Sequence, residues 1–315
     1  MKAEDIQRIA VVGAGLMGHG IALELALAGY DVRLTSRSQE SLQRASARIT
    51  QSLDTLVEVE TVTAEQAGEA PARISLCAEL AEAVSDSHLA IEAVYEDLPL
   101  KQRLFRELGG LCPEETILAS TTSAFLPDQL TPDTLRPGRV VVAHYVNPPY
   151  LVPLVEIVPS PHALEDEVAA LRDLLTAIGK SPVVLRKGVP GFISGRLQMA
   201  LAREALSMVQ KGVASPEDID LVLRTSLGRR WAAAGVFEVF DLAGWDLVSA
   251  IASELMPTLD GSPEVPEIVT EKVARGALGA KTGEGFYKWT PESAQALRAR
   301  IAQTLARIDR WSKST

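Results

Sequence analysis

Along the first half of the chain, short runs of aliphatic and β-branched residues alternate with longer stretches whose apolar residues recur every three or four positions. The runs predict strands at 8–12, 32–35, 74–77, 89–93, 116–120 and 140–144, and the amphipathic stretches between them predict crossover helices, the pattern of a parallel sheet. Past Glu156 the pattern predicts a helix at about 164–178 and a strand at 182–185. Lys187, Val189, Pro190 and Gly191 then break it, which places the domain boundary. From Phe192 onward the period is helical: the stretches 203–212, 216–228 and 237–255 carry apolar residues at three-and-four spacing, and the tail beyond Pro291 predicts one amphipathic helix that frays over residues 313–315. The expected architecture is an α/β domain over residues 1–187 and an all-α domain over residues 188–315.

Composition supports that division. A chain of 315 residues suits two domains of ordinary size, and 47% hydrophobic against 23% charged residues is the balance of a globular protein with a sizeable core. The net charge of −10 argues against a general nucleic-acid binder, because phosphate affinity rests on clustered Lys and Arg. The first apolar run follows acidic residues and breaks into glycines at once, unlike a secretory leader, and no charge-free apolar stretch is long enough to span a membrane. A cytoplasmic protein with small-molecule partners is expected. Cys77 and Cys112 have no partner at metal-ligand spacing and read as reduced packing residues, so no metal is expected.

The first motif that carries chemistry lies where the first strand ends. Gly13, Gly15 and Gly18, with Leu16 and Met17 between the last two, form G-x-G-x-x-G between a predicted strand and a predicted helix. Gly13 permits the tight turn, Gly15 lets backbone approach a pyrophosphate, and Gly18 lets helix and strand pack closely, so the first domain reads as a Rossmann-type doubly wound sheet that binds a dinucleotide. The acid expected at the end of the second strand for ribose recognition is missing. Ser36 stands there, followed by Arg37, which either pairs with a 2′-phosphate or is a solvated surface residue beside NAD held through Ser36. NADP is favoured over NAD.

Hydride transfer from an alcohol needs a base that titrates near neutrality. Of the four histidines, His19 lies in the glycine turn, His88 begins a strand and His162 sits in a Ser-Pro-His turn. His144 instead ends a strand at the carboxyl edge of the sheet, where ligands bind in this architecture, and leads into Asn147 and Pro148. Glu156, within the apolar run 154–158, needs a partner, and an imidazole supplies one. From position alone His144 is either a base oriented by Glu156 or a satisfied core histidine.

Gly13 to Gly18, the stretch 119–123, His144 with Asn147 and Pro148, Leu154 to Glu156, Pro190 to Phe192 and the stretch 281–287 follow, in order, landmarks of the 3-hydroxyacyl-CoA dehydrogenase family, which the chain resembles over nearly its whole length. The resemblance implies that His144 is the general base and Glu156 its orienting acid. It further implies that Ser123 and Asn147 bind the substrate oxygen and the nicotinamide, that Glu96 and Lys101 lie along the cofactor, that Lys281 reaches towards it from the second domain, and that the helical domain carries a homodimer interface.

Two departures from the family pattern bear on the substrate. Glycine stands at position 195, where an asparagine is usual, so one substrate-side hydrogen bond is lost or supplied by Ser194. The stretch 49–72, where acyl-CoA members carry lysines, has no Lys or Arg but has Asp54, Glu58, Glu60, Glu65 and Glu69, a surface that repels phosphates unless it is simply a solvated helix face. Arg229 and Arg230, in a segment similar to the L-gulonate dehydrogenase (lambda-crystallin) branch, either hold a free carboxylate or complement a helix C-terminus. The expected activity is oxidation of a 3-hydroxy acid or 3-hydroxyacyl-CoA, the free acid favoured. The rival expectation is a non-catalytic, crystallin-like dinucleotide-binding protein.

Overall fold

The computed structural model describes residues 1–131 and 137–312; the fraying expected at 313–315 lies outside them. Strands β1 (Arg8–Val12), β2 (Asp31–Thr35), β3 (Ile74–Cys77), β4 (Leu89–Glu92), β5 (Ile117–Ser120), β6 (Val140–Tyr145), β7 (Leu154–Pro159) and β8 (Ser181–Val184) form one eight-stranded sheet in the order β3-β2-β1-β4-β5-β6-β7-β8. Neighbours run parallel except β6 and β7, which are antiparallel. The order reverses between β1 and β4, and the crevice beyond their carboxyl ends is where this architecture binds ligands.

Helices α1 (Gly18–Leu27), α2 (Gln39–Glu58), α3 (Ala64–Glu69), α4 (Leu80–Val84), α5 (Leu98–Leu111), α6 (Pro127–Leu130) and α7 (Glu165–Ala177) accompany the sheet. Both faces are covered, as the near-continuous apolar strands require. Ile9 and Val11 join one core with Ile21, Leu25 and Leu171, while Ala10 and Val12 join the other with Phe105, Leu108 and Phe192. Cys77 and Cys112 are both buried.

The sheet belongs to a compact unit of Met1–Gly195 with Ala302–Asp309; the second unit comprises Arg196–Ile301 and the chain from Arg310. Helix α8 (Ser194–Gln210) starts in the first unit. Then come α9 (Pro216–Thr225), α10 (Leu227–Trp231), α11 (Val236–Ala243), α12 (Trp245–Leu255), α13 (Glu267–Ala274) and α14 (Pro291–Ser312), whose stretch Ala302–Asp309 packs with the first unit through Ala302, Ala306 and Val59. The second unit is helical except for isolated antiparallel bridges of Glu284 with Gly279 and Lys288, in a turn too short to show a strand period. No hydrophobic residue of 196–301 is buried within this chain. Among the described residues no helix is long and apolar enough to cross a membrane, and no cluster of metal-ligating side chains is present.

Candidate active site

The glycine turn sits at the crevice. Gly13 has φ 115, and a Cβ there would lie 2.4 Å from the carbonyl oxygen of Ala93, just past β4. A Cβ on Gly18 would lie 1.7 Å from the carbonyl oxygen of Gly13, whereas one on Gly15 would meet nothing within 4 Å. Two glycines therefore let the backbone close on itself and the third faces open space, the arrangement a pyrophosphate needs. Leu16 is 62% exposed, and no protein acceptor takes the amides of Gly15 and Leu16 among the described residues. His19 is buried with its Nδ1 2.8 Å from the Gly15 carbonyl, so it braces the turn, and burial lowers its pKa. These residues fit a dinucleotide. At the end of β2, Ser36 is half-buried and Arg37 is exposed, with no ion pair among the described residues.

His144 and Glu156 owe their meeting to the antiparallel turn of the sheet. Across β6 and β7 they are register partners, so their side chains share one face of the sheet. Nδ1 of His144 lies 2.8 Å from Oε2 of Glu156, and Nε2 lies 3.1 Å from the hydroxyl of Ser123. His144 and Glu156 are buried and Ser123 is exposed, so the chain of groups runs from the interior to an open surface. The ring of Phe192 packs 5.2 Å from that of His144.

Glu156 receives more donors than position alone suggests. Gly191 and Phe192 both have positive φ, and this turn aims the next two amides, at the start of α8, at the carboxylate. Ile193 N and Ser194 N donate to Oε1 at 2.8 and 2.9 Å, and the Ser194 hydroxyl donates to Oε2 at 2.6 Å. Burial acts to raise the Glu156 pKa, but these bonds and the one from His144 outweigh it and hold the carboxyl below its usual range. With an ionised acceptor at Nδ1, His144 carries its proton on that nitrogen and offers the Nε2 lone pair to the site.

The structure places Ser194 on Glu156 and assigns its hydroxyl there. A buried acid with unfilled acceptor sites was the available signal for this role.

Glu96 accepts from the Ser123 amide at 3.1 Å and from the Thr122 hydroxyl, and its other oxygen lies 3.3 Å from Lys101 Nζ. Lys101 is fully buried and also donates to Glu92 at 2.7 Å, while Ser120 donates to the second Glu92 oxygen at 2.6 Å. Lys101 thus ties β4 and α5 to the segment that carries Ser123, while Glu96 stays exposed. Glu92 escaped sequence reading because it sits at an ordinary strand end, and Ser120 and Thr122 were read only as part of the stretch 119–123, with no role of their own. Asn147 is exposed in the loop after β6.

Arg229, Arg230 and Lys281 lie in the second unit, all exposed. Arg229 and Arg230 occupy the last turn of α10, and Arg229 Nε donates to the Arg224 carbonyl. Asp54, Glu58, Glu60, Glu65 and Glu69 are all exposed.

Comparison with known proteins gives this geometry its family. Residues 8–188 match the 3-hydroxyacyl-CoA dehydrogenase NAD binding domain, and residues 191–289 match the C-terminal domain of the same family. The chain is 34% identical over 305 residues, covering 97% of it and 98% of the relative, to 5-formyl-3-hydroxy-2-methylpyridine 4-carboxylate 5-dehydrogenase of Mesorhizobium japonicum. It is 32% identical to lambda-crystallin of Oryctolagus cuniculus over 93% of this chain and 91% of that one. A solved structure of the pyridine carboxylate dehydrogenase, described as an NAD+-dependent dismutase, superposes with TM-score 0.90 at 33% identity, covering 97% and 98% of the two chains. The (S)-3-hydroxybutyryl-CoA dehydrogenase of Ralstonia eutropha superposes with TM-score 0.73 at 31% identity, covering 90% and 99%. The chain belongs to the 3-hydroxyacyl-CoA dehydrogenase family, NAD-dependent oxidoreductases that act on CH–OH groups.

Proposed function

We propose that this enzyme oxidises the hydroxyl carbon of a small, free 3-hydroxy acid, with His144 as general base. The observation that carries the reading is the hydrogen-bonded series Ser123, His144, Glu156, which ends on an exposed serine beside a buried imidazole. Nε2 of His144 takes the hydroxyl proton of the substrate as its C–H bond breaks and the C=O bond forms. The dinucleotide, when bound at the glycine turn, supplies the hydride acceptor. Glu156 keeps the imidazole in the receptive tautomer and stabilises the imidazolium that forms. Ser123 and Asn147 hold the substrate oxygen, and Arg230 or Arg229 holds its carboxylate bidentately.

Two observations favour the free acid over a CoA thioester. The five exposed acids of α2, α3 and the turn between them repel phosphates, and the relative matched over 97% of this chain is named for a pyridine carboxylate. Arg37, exposed at the end of β2, is read as the residue that admits the 2′-phosphate of NADP. The hydrogen-bonded Ser123, His144 and Glu156 argue against a non-catalytic crystallin role. The chain is further read as one half of a homodimer, since Leu242, Phe237 and Val213 are 89%, 71% and 68% exposed in a unit that buries no hydrophobic side chain of its own.

A turnover screen of 3-hydroxy acids and their CoA esters with NAD and NADP tests this. Oxidation of a short free acid that disappears in His144→Ala is the expected result. Micromolar turnover of acetoacetyl-CoA, with free acids inert, returns the enzyme to acyl-CoA chemistry.

A further inference from the structure

The dinucleotide helix α1 is buried on nearly every side, yet carries an acid, Glu24, in its second turn. Its carboxylate meets the ammonium of Lys180, which follows α7 through Gly179 (φ 85) and is itself nearly buried. Among the described residues no other donor reaches either Glu24 oxygen. Burial pushes the Glu24 carboxyl up to about 7 and Lys180 pulls the other way.

Lys180 does more than neutralise this acid. Its Nζ donates to the carbonyl oxygens of Pro149 and of Val152, the latter at 3.0 Å, and lies 5.8 Å from the ring centroid of Tyr145. Those carbonyls belong to the loop between β6 and β7, which leaves the sheet directly after His144 and Tyr145 and carries Asn147 as its second residue. The same loop presses on α1 one turn earlier. A Cβ on Gly20 would lie 2.7 Å from Pro149 Cγ and 3.1 Å from Tyr150 Cδ1. One ammonium therefore joins the helix that follows the glycine turn to the loop that follows the catalytic histidine. None of its contacts reaches His144 or the crevice.

We propose that Lys180, with Glu24 as its buried counter-ion, is a positioning residue that clamps the 146–153 loop onto α1 and so fixes Asn147 relative to the dinucleotide turn. The inference rests on the reading of His144 and Asn147 given above. A buried ammonium that fills two loop carbonyls and an acid acts much as a structural cation would. Its removal strands three polar groups at once.

The test compares Lys180→Met, Lys180→Arg and Glu24→Gln in the full-length protein. Hydrogen exchange over residues 146–153 needs no substrate. In Lys180→Met the amides of Leu151 and Val152, which bond the Pro148 carbonyl, should exchange at least tenfold faster, with Lys180→Arg restored to within about threefold of wild type. NADH and NADPH affinities, read by fluorescence, should each change less than threefold. With the 3-hydroxy acid or acetoacetyl-CoA that the wild type turns over, kcat should fall at least tenfold in Lys180→Met while KM for the dinucleotide holds. Glu24→Gln keeps volume and an acceptor, and should give a smaller loss of the same kind if Lys180→Met does not fold. Unchanged exchange of the loop in Glu24→Gln and in every folded Lys180 variant overturns the proposal. His144→Ala run alongside separates the two readings: if it keeps wild-type turnover, the base assignment fails, while the exchange result still judges the clamp.

Discussion

The two compact units carry helices of similar amphipathic regularity and use them differently. In the first, α2 buries Leu42, Ala45, Ile49, Leu53 and Leu56 against its neighbours α1 and α3, and α7 buries Leu171, Leu174 and Leu175. In the second, α9, α11 and α12 show equally regular stripes, yet Leu221, Phe237, Leu242, Trp245 and Ile251 are all exposed. A stripe at helical spacing records that a face is meant to be covered and says nothing of what covers it. The first unit completes its core within one chain and holds the hydrogen-bonded series of Ser123, His144 and Glu156. The second presents apolar faces and the exposed pair Arg229 and Arg230.

The largest expected effect tests whether the chemistry belongs to the first unit alone. His144→Ala should lower kcat by about two to four orders of magnitude, the usual range for a general base, with dinucleotide affinity nearly unchanged. Glu156→Gln should approach the same loss and also move a stability profile. The Glu156 carboxyl is depressed in the folded state, so its stabilising share is present above the unfolded carboxylate range and drains away as pH falls through the folded value. Wild type should lose stability towards acid more steeply than Glu156→Gln in urea titrations from pH 7 to 3. Equal slopes would remove Glu156 from that account.

The next effect probes the second unit's exposed stripe. Leu242→Glu replaces a side chain that is 89% exposed in one chain, which on a free surface would change stability by less than about 0.5 kcal/mol. At a subunit interface it removes about 2 kcal/mol of apolar burial and adds a buried charge, so dimer dissociation should strengthen by about a hundredfold or more. Leu164→Glu, at a 45% exposed position of the first unit, is the control and should leave sedimentation unchanged. A monomeric wild type, or a Leu242→Glu variant that stays dimeric, breaks the contrast between the units.

Legibility in the sequence followed the same division. Period and turn chemistry located β1 and β3 to the residue, and β2, β4, β5, β6 and β8 within one residue at either end, because strands buried on both faces are continuous apolar runs bounded by polar turns. The reversal of β7 was not legible. Period reports burial and is blind to strand direction, yet that reversal is what makes His144 and Glu156 register partners. The pairing of His144 with Glu156 could be proposed because a buried acid demands a donor. The Ser194 hydroxyl and the amides of Ile193 and Ser194, which also answer that demand, depend on the positive φ of Phe192, a conformation rare for an aromatic residue and invisible to pattern. In the second unit the helices were legible and their lack of a core was not, since one chain's pattern looks the same whichever chain fills its groove.

Arg230→Met asks whether the second unit contributes to the substrate site. A carboxylate held by a charge-assisted pair loses about 1.5–3 kcal/mol with its cation, so on the proposed reading KM for a short 3-hydroxy acid should rise about tenfold or more, with KM for the dinucleotide unmoved. Arg229→Met is the companion, since either member of the α10 pair could turn to the substrate. Wild-type KM in both would leave the pair as complements to the helix C-terminus and the second unit without a substrate role.

The smallest effect belongs to Arg37, and its size follows from its surroundings. Arg37 is exposed beyond β2, where water and salt screen any pair it makes, so its interaction with a 2′-phosphate should be worth at most about 1 kcal/mol, or about fivefold in the ratio of kcat/KM for NADP over NAD. Arg37→Ala should lose that factor. The loss should shrink as ionic strength rises from 20 to 500 mM, because an exposed ion pair weakens with salt and a hydrogen bond through Ser36 does not. Adding Ser36→Asp should push the ratio further towards NAD, since a carboxylate at the end of β2 accepts from both ribose hydroxyls and repels the phosphate. A wild type that strongly prefers NAD, with a ratio indifferent to Arg37→Ala and to salt, would sink the NADP reading. Ser36 would then stand alone as the ribose contact, and cofactor choice would rest on a neutral hydrogen bond within the preformed turn of the first unit.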